Sequence, residues 1–378
     1  MKKNIQYGVL SLVTCLFLIS QAGIVCAAQA STNYTFWHST AEQAAKEAWR
    51  LLGGKPAEVV VLTNAGYAVV NGSTTEGCLD GLTKASGATV GKANLLEVHS
   101  SRDKALWFLF FDKNTGQSAY CEVNPQAVPA DLNQGKKVAA VPSAKLFARI
   151  AAANIGANQI FANPAEWNAK VQARIFNGNE FALVTLANVA AHGAPYDFVK
   201  AALYHDHLCP GVNSGYLIAN YLKKELPLRS ADEKYYIISV PVWCKEDALQ
   251  TVLNTTPGKS GMAVLPMDEQ LKARLIPEAK NLAGIYIRWN DKSKTGAGLV
   301  LAFDFARANS IGNIDNNQGF PWESKVKLDL FLLDYYDKPE VFVSTIKKFD
   351  LKAGDKPDTL ASPGVNVLNK LGLLVSSN

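Results

Sequence analysis

The feature that most constrains this chain is an internal repeat. Cys244-Lys245-Glu246-Asp247-Ala248-Leu249-Gln250, followed by Thr255-Thr256-Pro257-Gly258-Lys259, parallels Cys78-Leu79-Asp80-Gly81-Leu82, followed by Ala88-Thr89-Val90-Gly91-Lys92. At an offset of 167, Asp247 falls on Asp80, Leu249 on Leu82, Thr256 on Thr89, Gly258 on Gly91 and Lys259 on Lys92, without a gap. The same offset sets Tyr204 on Trp37 and His205 on His38. Asp112-Lys113-Asn114-Thr115-Gly116 then resembles Asp291-Lys292-Ser293-Lys294-Thr295-Gly296, after about a dozen extra residues in the second copy. An ungapped set of matches followed by a matching turn points to tandem duplication of one structural unit.

The two copies carry the same local signals. In the first, Ala44, Ala45, Ala48, Leu51 and Leu52 have helical spacing within 41–52, and Gly53-Gly54 ends that helix. Strands are expected at 59–62 and 67–70, a short helix at 82–85, and a hairpin from 106–111 and 120–123. In the second copy the helix is 215–226, ended by Pro227, with a strand at 235–243 and a helix at 247–253. Its hairpin pairs 285–289 with 299–303. Helices mixed with hairpins imply an α+β fold, two tandem modules of mixed or antiparallel sheet with packed helices, rather than a doubly wound sheet. The expected organisation is a signal peptide at 1–30, a first module at 31–142, a helical connector at 143–190, a second module at 191–330 and a tail at 331–378.

Lys2 and Lys3 precede an apolar stretch centred on 9–19, and small residues follow up to Ala28-Gln29-Ala30. This is the pattern of a secretory signal peptide, so the mature protein is expected to be exported, to the periplasm or beyond, without a membrane span. Cleavage would remove two lysines and no acid, taking the formal net charge from +5 to +3. With 38 basic and 33 acidic residues and no basic cluster, nucleic acid is not expected as a partner. Cys15 and Cys26 leave with the signal, and Cys78, Cys121, Cys209 and Cys244 remain. In an oxidising compartment four cysteines allow up to two disulfides in three connectivities. A chain of this size needs no staples, so thiols are also available as ligands or reactive groups.

The run that carries chemistry is His205-Asp206-His207-Leu208-Cys209-Pro210-Gly211. It packs three of the mature chain's nine His and Cys residues into five positions. In an extended segment, alternate residues line one face, which would aim His205, His207 and Cys209 into one site. Pro210 suits the first turn of a helix, and Cys209 at that helix's N-terminus would favour the thiolate. Neutral imidazole with thiolate suits zinc, with iron, nickel or copper allowed by softness. Cys244, after the β-rich run 235–240, is the natural further ligand, and Asp247 one turn on could orient a histidine or cap a helix. Lys259 could face a small anion or solvent. Gly258-Lys259-Ser260 is not a phosphate loop, because Leu253 stands where that motif requires glycine. In the first copy only His38 would remain, with Thr40 in place of His207, Glu42 in place of Cys209 and Gly77 in place of Cys244. That copy is expected to support the fold.

At this point the second copy resembles the FmdE family, whose name comes from formylmethanofuran dehydrogenase, over about residues 191–305. The family's His-Gly-His-x-Cys-Pro-Gly stands here as His205 to Gly211, with Asp206 in place of the first glycine. Its Cys-x-x-Asp-Ala-x-Gln is intact as Cys244, Asp247, Ala248 and Gln250. Its Thr-Gly-Cys-Thr-x-Gly-Lys is eroded to 253–259, with Thr255 where the cysteine would be. The resemblance implies an α+β module with a His- and Cys-lined cleft associated with metal. Many members are dimers, so the resemblance also implies a pseudodimer within one chain. Three readings stand. One is an exported metal-binding protein. Another is a thiol-dependent enzyme with Cys209 as nucleophile or redox thiol, His205 or His207 as base and Asp247 orienting it. The third is an interaction module with a vestigial cleft. Cys209 and Cys244 are expected to be free or metal-bound rather than bridged.

Overall fold

The central strands Trp107–Asp112 and Leu282–Asn290 bury all but their last residue. Such strands demand cover on both faces of their sheet, and the fold supplies it twice. A computed structural model describes residues 32–130, 132, 139–315, 319–352 and 354–375. The signal peptide expected at 1–30 lies outside the described residues.

The first module runs α1 (Thr32–Leu52), β1 (Val59–Thr63), α2 (Gly77–Ser86), β2 (Leu95–Glu97), β3 (Trp107–Asp112), β4 (Gln117–Val123) and β5 (Phe147–Asn154). Its sheet has the order β2-β1-β3-β4-β5. β1 is parallel to β2, with Val61 opposite Leu95, and the remaining pairs are antiparallel. α3 (Glu180–His192) closes the segment expected as the connector, and α4 (Tyr196–Tyr204) opens the one expected as the second module. The second module runs α5 (Pro210–Glu225), β6 (Glu233–Ser239), α6 (Lys245–Leu253), β7 (Met262–Val264), β8 (Leu282–Asn290), β9 (Thr295–Phe303), α7 (Glu323–Leu333) and β10 (Val343–Leu351). Its order is β7-β6-β8-β9-β10, again with the first pair parallel (Ile237 opposite Met262) and the rest antiparallel. The two modules thus share strand order and strand sense.

Two boundaries differ from the sequence expectation. β5 lies inside the segment expected as a helical connector. Phe147-Ala148-Arg149-Ile150-Ala151-Ala152-Ala153-Asn154 is alanine-rich and favours helix locally, but pairing with β4, Cys121 opposite Ile150, makes it an edge strand. Residues 331–378, expected as a tail, belong to the second module. β10 pairs with β9, and Leu360, Val367, Leu368, Leu371, Leu373 and Leu374 bury themselves on the face formed by Ile238, Ile285 and Ile287. Each such residue contributes about 1.5–3 kcal/mol of burial, so this segment is part of the core.

The sheet faces decide where a site can sit. One face of the first sheet (Val59, Val61, Phe108, Phe110) packs α1 and α2. The other (Val60, Leu62, Leu109, Phe111, Tyr120) packs α3, α4 and the first turns of α5, including Cys209, Val212 and Tyr216. The first module therefore backs directly onto the start of the second.

The helix crossings also correct the repeat register. Gly81 of α2 lies against Ala41 of α1, and Gly215 of α5 lies against Ala248 of α6. Gly81 and Ala248 keep the offset of 167, but Ala41 and Gly215 are 174 apart. By that register His38 stands level with Val212, inside a helix, and not with His205. α1 is one unbroken helix from Thr32, so among the described residues of the first module the turn that carries His205, His207 and Cys209 has no counterpart.

Candidate metal centre

The site is built where α4 stops and α5 starts. His205 N–H donates to Ala201 O at 3.0 Å and closes the last turn of α4. Asp206 then takes a left-handed backbone, φ +66°, and reverses the chain. Glycine adopts that conformation freely, and Asp is among the few other residues that tolerate it. Leu208 is buried, and its N–H donates to Thr185 Oγ1 on α3 at 3.1 Å, which pins the turn. Cys209 is extended (φ −146°, ψ 163°) and sits as N-cap of α5, with Pro210 in its first turn. The donors therefore converge through a helix–turn–helix, not through the strand alternation expected from their spacing.

The second wall is α6. Cys244 is its N-cap. Gly211 makes the approach possible, since a Cβ there would lie 2.8 Å from Cys244 Cβ and 3.3 Å from its Sγ. One helix turn on, a Cβ at Gly215 would fall 2.4 Å from Lys245 O. Two helix N-termini consequently meet thiol to thiol.

Donor atoms of His205, His207 and Cys209 all lie within 4.8 Å of one another. His205 Nε2 is 3.9 Å from Cys209 Sγ, and its Nδ1 is 2.6 Å from Asp247 Oδ2. His207 Nδ1 is 2.5 Å from Asp206 Oδ1. Each imidazole is thus held by a carboxylate on one nitrogen, which leaves the other nitrogen for the shared space. This is the arrangement that fixes tautomer and ring direction at metal sites. Gln250 Nε2 donates to Asp247 Oδ1 at 3.4 Å and extends the chain by one residue. Tetrahedral zinc with Zn–N and Zn–S bonds of about 2.0–2.3 Å places donors about 3.5 Å apart, so two imidazoles and a thiolate at these separations fit with small side-chain adjustments.

Charge is concentrated on Cys244. Its thiol is lowered to about 4 by a hydrogen bond from Cys209 and another from His205, against the opposing effect of burial. Cys209 moves the other way, raised by its hydrogen bond to Cys244 and by burial. Of the two thiols, Cys244 is the more exposed and is hydrogen-bonded by both Cys209 and His205, so it carries the thiolate and Cys209 keeps the proton. Burial disfavours the His205 imidazolium, but hydrogen bonds to Asp247 and Cys244 outweigh it and lift the ring to about 9. The low-pKa thiol is therefore Cys244, not Cys209. All four described cysteines are free.

Some expected residues stand apart. Lys259 is exposed and gives its ammonium to Asn254 Oδ1. His38 sits on α1, beside Glu42 and Tyr34, on the far side of the first sheet from α5. Cys78 and Cys121 are buried in the core of the first module. Thr255, at the eroded third motif, is buried and donates to Leu249 O at 3.1 Å.

Residues not singled out from sequence also shape the site. Lys245, fully buried, lies 3.7 Å above the Trp243 ring, donates to Pro241 O at 2.6 Å and pairs with Glu246. Burial lowers its pKa to about 8 against the pull of Glu246. Asp329 on α7 is 1% exposed; Oδ1 accepts from Asn213 Nδ2 at 2.7 Å, while Oδ2 has no hydrogen-bond partner. Its carboxyl is pushed up by burial, and its charge in turn raises Cys209. The available signal was an acid inside an apolar helical run, Leu328-Asp329-Leu330-Phe331-Leu332-Leu333.

Comparison with known families agrees with this placement. The family model described as "FmdE, Molybdenum formylmethanofuran dehydrogenase operon" matches residues 204–309. No curated protein matches the chain. The matched stretch spans α5 to β9 and contains His205, His207, Cys209, Cys244, Asp247 and Gln250, while the first module, α7 and β10 lie outside it. Residues 204–309 are therefore similar to the FmdE family, with their His and Cys residues gathered at the paired helix starts.

Proposed function

We propose that the chain is an exported transition-metal-binding protein, with zinc the first candidate and iron or nickel next. His205, His207 and Cys209 would ligate, and the Cys244 thiolate, hydrogen-bonded to Cys209 and His205, is a candidate further donor. The observation that carries this reading is the double imidazole–carboxylate pairing, His205 with Asp247 and His207 with Asp206, around a space shared with a thiol. Structural ion pairs rarely aim two histidines and a cysteine at one point. Export rests on the basic, apolar and small-residue order of residues 1–30. Among the described residues no helix is long and apolar enough to cross a membrane. The two like modules in one chain would stand in for the two halves of a dimer.

Elemental analysis of residues 31–378, purified without chelator, tests the reading against the double variant Cys209→Ser, Cys244→Ser. About one equivalent of a transition metal, lost in the variant, is the expected result. Metal-free protein in both cases, even after anaerobic reconstitution, would overturn it.

A thiol-dependent enzyme is the second reading. It is favoured by the proton-sharing pair Cys209 and Cys244 next to His205. A metal ligand is alkylated only after chelation, whereas a catalytic thiol reacts at once in the protein as isolated.

A further inference from the structure

We propose that the cavity opening onto His207 binds a small organic carboxylate. This cavity, about 680 Å³, lies between the first module and the connector, and its lining includes Lys104, Trp107, Glu122, Arg174, Phe181 and His207. Its volume is that of a small-molecule site. The reading rests on the metal centre proposed above only for what the ligand meets at the His207 end.

Open hydrogen-bond capacity selects the class of ligand. Glu122 is buried, and its carboxylate already accepts from Tyr120 Oη at 2.8 Å and from Asn177 Nδ2 at 3.0 and 3.2 Å. The Asp206 carboxylate is engaged by His207. The lining cations are not matched in this way. Among the described residues the Lys104 ammonium has no ion-pair or hydrogen-bond partner, and the Arg174 guanidinium reaches Asn177 O at 3.4 Å and no carboxylate. The formal charges of the lining balance, Glu122 and Asp206 against Lys104 and Arg174, with Asp103 next to Lys104. What is left open is hydrogen-bond capacity on the cations, including a guanidinium fork that suits a carboxylate in a bidentate pair.

Shape selects an organic ligand over a bare ion. Trp107, stacked on Tyr120 with centroids 6.4 Å apart, and Phe181, its ring 5.1 Å from that of His207, give the cavity apolar walls. A carbon skeleton lies along these walls while its carboxylate is taken by Lys104 and Arg174. Its far end then meets His207, whose Nδ1 is occupied by Asp206 and whose ring is one of the three donor groups gathered there. The first module thereby supplies a binding wall, Lys104 and Trp107, to a centre whose donors are all in the second.

The test is calorimetric titration of residues 31–378 with benzoate, with succinate and with inorganic phosphate, alongside zinc analysis of the same samples. At least one carboxylate binds with a Kd of about 1 mM or tighter. The double variant Lys104→Gln, Arg174→Gln weakens that binding at least about tenfold and keeps its zinc content. Both residues are exposed, so the variant should fold, and Lys55→Gln at another exposed site leaves carboxylate binding intact. Binding of neither carboxylate, binding of phosphate alone, or equal binding by the double variant overturns the proposal. Protein that holds zinc but ignores carboxylates sinks the cavity and spares the metal centre. Protein that binds a carboxylate through Lys104 and Arg174 without holding zinc does the reverse.

Discussion

The two modules share a sheet topology and a helix crossing but differ in how the chain enters the first helix of that crossing. In the first, α1 runs unbroken through Thr32–Leu52 and packs alanines against α2. In the second, the chain breaks at Asp206, restarts at Pro210, and uses the break to present His205, His207 and Cys209. The cysteines follow the same division. Cys78 and Cys121 are core residues, whereas Cys209 and Cys244 cap helices that face each other. A site thus arises at the turn that leads into α5, on a scaffold whose sheet and helix crossing are otherwise duplicated. The scaffold tolerates the turn because the first sheet covers it, with Leu208 and Val212 in a common core.

The largest effect should come from the crossing that both modules keep. Gly215→Ala places a methyl 2.4 Å from Lys245 O, and Gly81→Ala places one 2.2 Å from His38 O. Each should cost about 1–3 kcal/mol, read by urea denaturation. Only Gly215→Ala should also lower metal content, since α5 and α6 carry the two thiols. Equal metal loss from Gly81→Ala would mean the modules are coupled more tightly than their separate helix crossings suggest.

Next in size is the loss of a carboxylate partner. Asp247→Asn keeps the shape but weakens the hydrogen bond to His205 Nδ1, and metal affinity should fall about 10–100-fold in chelator competition. His38→Ala, in the module without the turn, should leave affinity unchanged. A drop there would restore a role that the register of α1 argues against.

Thiol chemistry sharpens the same contrast by pH. In metal-free protein Cys244, held at about 4, stays thiolate down to mildly acidic solution. Its alkylation by iodoacetamide should therefore change by less than about twofold between pH 8 and pH 6, where an ordinary thiol slows roughly a hundredfold. The sign is fixed by the direction of the shift: a lowered thiol loses reactivity only as pH falls toward 4. Cys121, pushed up to about 12 by burial, and Cys78, raised by burial, should stay unmodified throughout. Mass mapping of the alkylated peptides separates the four. A steep pH profile at Cys244 would put the thiolate elsewhere.

Much of this contrast was legible in the residues, for reasons that differ from part to part. The donor cluster is local, three residues within 205–209, and Cys244 is marked by its place between the β-rich run 235–240 and a helix start, so both stand out without a structure. The hairpins of each copy were legible because alternating turns and apolar runs are short-range signals. β5 and β10 were not, because an edge strand is made by its neighbour and not by its own composition. Asp329 and the cavity at His207 were hidden for a related reason. They join residues more than a hundred positions apart, and no local pattern marks such a meeting.

The smallest single effect, that of Asp206→Gly, is expected where the chain departs from the resembled family's motif, and it bears on how the turn before α5 is made. Asp206 combines two jobs, a backbone at φ +66° and a carboxylate on His207. Asp206→Gly keeps the first and removes the second. Glycine takes the left-handed backbone without strain, so the turn should persist, and metal affinity should shift by less than about tenfold. Asp206→Val removes both. A β-branched residue at that φ is strained by about 1–3 kcal/mol, and the turn can relieve it only by swinging His207 away from Cys209. If both variants lose metal alike, the carboxylate sets the site. If Asp206→Gly retains it and Asp206→Val does not, the left-handed turn is what distinguishes the second module from the first. The second result is expected, because His207 has only to reach a point that His205 and Cys209 already define.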